Sequence, residues 1–120
     1  MEARLACWES ALPLHPGDPD LGSKVADLML GARFFVPSPV VVRFVCALTA
    51  RLPEYGLGPD TVWARRPLTA SIAGRIIQLP IKIAHVSTVK PLVEELARQH
   101  GLQFADLGRF SEVAARSLVA

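Results

Sequence analysis

A chain of 120 residues fits one domain and can bury a core without disulfides or metal. With 51% hydrophobic and 20% charged residues it is globular rather than disordered, and a net charge of +2 lacks the dense basic stripe of a nucleic-acid binder. The longest apolar stretches are broken by Pro37, Pro39, Arg43, Pro80 and Lys82, so none approaches the ~18 residues of a membrane-spanning helix. The start "MEARLACWES" has no long apolar segment of the secretory kind, which sets the expectation of a cytoplasmic protein.

In chain order, residues 3–9 read as an apolar strand ending in Trp8-Glu9. "SALPLHPGDPD" is a loop, rich in proline. Asp18 or Asp20 can cap a helix from near Leu21, with Leu21, Val25, Leu28 and Met29 at helical spacing and Gly31 at its exit. A second helix opens at Ser38, a good N-cap, with Pro39 at the first helical position, where a missing N–H costs nothing. Val41, Val45, Leu48 and Leu52 make its apolar face, and Pro53 and Gly56 end it. "GLGPD" is a turn, and a short strand is expected around Val62–Arg65.

The stretch "IAGRIIQLPIKIAHV" is the strongest strand: Ile77, Leu79, Ile81 and Ile83 alternate onto one face. Ala73-Gly74 can turn a hairpin into it, and Pro80 asks for an edge or a bulge. A third helix follows, capped by Ser87 or preferably Thr88, with Pro91 in its first turn. Val89, Leu92, Val93, Leu96 and Ala97 form its buried stripe, Glu94 and Arg98 an i,i+4 ion pair, and Gly101 a left-handed stop. "LQFAD" is a short strand, and the tail from Arg109 is either a final helix capped by Ser111 or loosely docked.

Chemistry-bearing residues are few and scattered. Cys7 and Cys46 lie in apolar runs and read as buried free thiols, a disulfide being possible but not implied. His15 with Asp18 and Asp20 lacks the spacing of a calcium loop, so no metal is expected. Glu94 and Glu95 point about 100° apart on a helix and cannot act as a pair. Asp106 and His85 each end a strand, which leaves open a small ligand-binding or enzyme site at the strand ends. "GLGPD" matches no phosphate loop. Trp8, Glu9, Trp63, Arg65 and Arg66 are the candidate partner-binding residues, because Trp and Arg are enriched at interface hot spots.

The stretches "LACWE", "PSPVVVRFVCALTARLPEYG", "VWARRPL" and "VEELARQHGLQFAD" occur in an order that resembles a group of short, largely uncharacterised bacterial proteins. The match runs over roughly residues 4–108. Where that group ends its last strand in Tyr-Asp-Pro-Gln, this chain has Ala105-Asp106-Leu107-Gly108, and its "Arg-Tyr-Pro" position is Arg51-Leu52-Pro53. Such proteins are candidate immunity proteins, which bind and block a cognate antibacterial toxin. The resemblance therefore implies a binding protein, not an enzyme, whose partner is a protein toxin, with no cofactor, nucleic acid or membrane involved. The expected fold is α+β over a single domain: a mixed or antiparallel sheet of about four strands, with three main helices on one face.

Overall fold

A computed structural model describes residues 2–54 and 61–110. Strand β1 (Glu2–Glu9) leads through the proline-rich loop to helix α1 (Leu21–Ala32) and then helix α2 (Pro39–Arg51). A 3-10 turn at Leu68–Ser71 enters the short strand β2 (Ile72–Ala73), followed by β3 (Ile76–Lys82), helix α3 (Val86–Gln99) and β4 (Leu102–Phe110). The four strands form one sheet of order β2-β3-β1-β4 with antiparallel neighbours throughout. This is an α+β fold. Because β1 lies between β3 and β4, the β3-α3-β4 unit is a split crossover and not a pair of adjacent parallel strands.

The helices divide between the two faces of the sheet, which departs from the expectation of one covered face. Leu5 and Cys7 of β1 join Ile77, Leu79 and Ile81 of β3 under α2 and α3. Ala6 and Trp8 join Ile76 and Ala105 under α1 on the other side. The reason is in β1 itself: its apolar residues occupy both parities, so each face carries apolar area that water must leave.

Local chemistry fixes the helix ends. The Ser38 hydroxyl accepts from the Val40 N–H at 3.2 Å, and Pro39 occupies the first helical position of α2. Val41, Phe44, Val45 and Leu48 form its buried face. Helix α3 starts earlier than the Thr88 cap would place it, because a 3-10 turn at Ile83–His85 runs into it. That turn takes Ile83 out of the strand. Pro91 thus falls inside the helix, where it has no N–H to give the Ser87 carbonyl. Burying Val89, Val93 and Leu96 still contributes about 1.5–3 kcal/mol each, which outweighs one lost hydrogen bond. Arg98 pairs with Glu95 and not with Glu94. Gly101, at φ +70°, stops the helix.

Pro80 pairs with Arg4 of β1, while its carbonyl accepts from the Ala64 N–H at 2.9 Å. Its missing donor therefore points away from β1, toward the edge that β2 covers at Ile76 and Ile77 and the Trp63–Ile81 bridge at Ile81; among the described residues that bridge is all that forms of the strand expected there. Strand β4 runs past Asp106 because a register shift opposite Arg4/Leu5 and Gly108, at φ +83°, absorb an extra residue and pairing resumes. The expected C-terminal helix and the "GLGPD" turn lie outside the described residues.

Candidate functional site

The five residues that composition nominated do not converge. Trp8 is 0% exposed and Trp63 1% exposed, so both indoles belong to the core and present no surface to a partner. The error has a physical cause: consecutive strand residues point to opposite faces, so a charged neighbour such as Glu9 says nothing about where Trp8 points. The Trp63 Nε1–H donates to the Leu52 carbonyl at 2.8 Å and satisfies a group that the end of α2 leaves free. The Trp8 Nε1–H, also buried, meets no acceptor among the described residues.

The three charged candidates occupy separate places. Arg65 reaches Glu2 at 3.1 Å, and Glu2 also lies 3.5 Å from Arg4, whose guanidinium donates to Gln78. These groups border a small cleft of about 170 Å³ with Met29, Ser71 and Pro80. Arg66 donates to the Glu54 carbonyl at 2.9 Å, while the Glu54 carboxylate accepts from the Leu68 N–H. Glu9 lies at the other end of β1, 3.9 Å from Arg75. Exposed pairs of this kind contribute at most about 1 kcal/mol each, so they shape the surface more than they stabilise it.

Asp106 and His85, the candidates for a polar site, are not brought together. Asp106 accepts from the Gly108 N–H, two residues on, at 2.7 Å and holds the Lys90 ammonium at 3.1 Å. Both border a cavity of about 490 Å³ with Ala3, Ile83, Val86 and Ser87, and His85 is not part of that lining. His100 caps the end of α3, its Nδ1 2.8 Å from the Leu96 carbonyl, with Phe44 edge-on to its ring. In the proline-rich loop, Asp18 accepts from the Asp20 N–H and pairs with Lys24, which lowers the Asp18 carboxyl through that bond. Among the described residues no three His, Cys, Asp or Glu side chains gather where a metal could sit. Cys7 and Cys46 are free thiols. Burial pushes the Cys7 thiol far up, while Cys46 is exposed, contrary to its apolar setting in the sequence.

A different surface stands out. Leu30 and Phe35 are each 65% exposed, Phe34 86% and Val36 88%. They form an apolar strip, interrupted by Arg33, that runs from the last turn of α1 into the link to α2. The Arg33 guanidinium lies 4.7 Å above the Phe34 ring. Phe35 and Val36 also line a groove of about 480 Å³ between α1 and the β2–β3 turn, together with Leu28, Ala32, Ala73 and Ile76, and Asp27 and Arg75 flank it. Gly74 shapes that turn. Its φ of +58° is a conformation side chains resist, and its carbonyl accepts from the Ser38 N–H at 2.8 Å, tying the start of α2 to the turn.

Composition and helical periodicity miss this strip because it belongs to no amphipathic pattern. The signal that finds it is the run Phe34-Phe35-Val36 between a helix exit and a helix cap, where a link has no need of three large apolar residues. Of the nominated residues, only Glu9 comes near it, through Arg75. Comparison of the chain with family models, with curated proteins and with solved structures finds no match. No helix among the described residues is long and apolar enough to cross a membrane.

Proposed function

We propose that this chain is a binding protein, an immunity protein that docks on a cognate bacterial toxin in the cytoplasm and neutralises it by covering its active surface. The observation that carries the reading is the strip of Leu30, Phe34, Phe35 and Val36 beside its groove. Two exposed Phe side chains alone present about 300 Å², which reaches the size of the largest apolar patch on a typical monomer, a patch that is often functional. Aromatic anchors next to a pocket, one of them stacked under Arg33 and with Asp27 and Arg75 at the rim, are the kind of arrangement that concentrates binding energy at protein interfaces. The sequence resemblance to candidate immunity proteins supplies the class of partner.

The activity needs no reacting group. Neutralisation follows from occlusion, and affinity depends on how well Phe34 and Val36 are desolvated rather than on total area. The test is co-expression with the product of the adjacent reading frame, followed by co-purification and a growth-rescue assay. A complex that forms and restores growth supports the reading. If the neighbour is harmless and does not co-purify, the reading fails.

A further inference from the structure

We infer that the outer face of α1, the Phe34–Val36 segment and the groove beside them form a self-complementary surface through which two copies of the chain pair about a two-fold axis. The inference rests on reading this face as a docking surface, and it names what occupies the face when no toxin is bound.

Three observations support a second copy. First, α1 turns fewer charges outward than α3 does. Helix α3 turns Glu94, Glu95, Arg98 and Gln99 outward, whereas α1 turns out Gly22, Ser23, Ala26, Leu30 and Gly31. Its outward charges are Lys24, which Asp18 already holds, and Asp27. A surface helix with so few charges turned outward leaves a face on which a partner can pack. Second, the same surface carries both knob and hole: Phe34, 86% exposed, stands outside the groove, and the groove, walled in part by Phe35 and Val36, lies next to it. An isologous contact requires that combination, since each copy must offer what the other receives.

Third, the groove is flanked by one charge of each sign. Asp27 makes no ion pair among the described residues, and Arg75 has only the distant Glu9 at 3.9 Å. A two-fold rotation can bring Asp27 of each copy to Arg75 of the other. A partner of one dominant charge would instead select a rim of the opposite sign. The area sets the strength. The strip alone falls short of the roughly 800 Å² per partner of a standard interface, and the groove walls must join it. The pair is therefore reversible, and toxin and second copy compete for one face.

Sedimentation equilibrium on the purified full-length chain, from low micromolar to several hundred micromolar, tests this. The expected result is a mass rising from 13.0 kDa toward twice that value. Asp27→Arg should weaken association about tenfold by placing like charges together, and Asp27→Arg with Arg75→Asp should restore it. Both positions are exposed, and matching circular dichroism melts establish that the variants fold. A mass of 13.0 kDa at every concentration overturns the inference, as does a charge swap that fails to restore association. Neither result touches toxin binding, which co-purification reads separately. Conversely, a dimer from a chain with no toxic neighbour upholds the inference and removes the proposed function.

Discussion

Replacing Trp63 by Ala separates a core indole from a surface anchor. Trp63 is buried over Ile81 at the open edge of β3, and its N–H donates to the Leu52 carbonyl. Truncating a buried Trp costs about 3–5 kcal/mol, and leaving that carbonyl without its donor adds about 1 kcal/mol. A domain of this size has a total stability of roughly 6–18 kcal/mol, so the variant loses a large share of it. With a urea slope of about 2 kcal/mol per molar, the unfolding midpoint should fall by about 2–3 M. Far-UV circular dichroism follows the transition, and Trp8 remains as a fluorescence reporter. A variant within about 1 kcal/mol of the parent that nevertheless loses its partner would refute the core assignment and return Trp63 to the interface.

Other consequences are directly measurable. The buried Cys7 thiol stays neutral in the folded chain while the unfolded chain ionises it above about pH 8.5, so stability should fall as pH rises past that value, by up to ~1.4 kcal/mol per unit. Subtracting the pH profile of a Cys7→Ala variant isolates this slope, and thiol labelling of the native protein should modify Cys46 only. Ser38→Ala should cost about 1 kcal/mol through loss of the α2 cap, read as a shift in denaturant midpoint. For Gly74→Ala the cost should be about 1–2 kcal/mol, from backbone strain at φ +58°, because a Cβ there meets Ala32 and Phe35 at ordinary contact distances of 3.5 and 3.6 Å. A Gly74→Ala protein as stable as the parent would show that the turn is not fixed as described.

Much of the framework is legible in the residues because local chemistry decides it. Ser38-Pro39 starts α2 and Gly101 stops α3 whatever the tertiary context. Alternation in β3 names Ile77, Leu79 and Ile81 as one buried face. What depends on distant partners is not legible. Whether Trp8 and Trp63 are covered is decided by α1, α2 and neighbouring strands, and a residue's neighbours in sequence carry no such information. Arg98 had two acidic residues within reach on the same helix, and side-chain geometry chose Glu95. The strip at Leu30–Val36 is hidden for another reason: apolar periodicity identifies residues that a chain buries against itself, and these it leaves outside.

The most direct measurement of the central claim is growth rescue by the intact chain against its cognate toxin, compared with a Phe34→Asp, Val36→Asp variant. Both side chains are almost fully exposed, so the variant should melt as the parent does. The parent should restore growth and co-purify with the toxin, and the folded variant should do neither. A folded variant that protects as well as the parent would place the docking surface elsewhere and contradict the account.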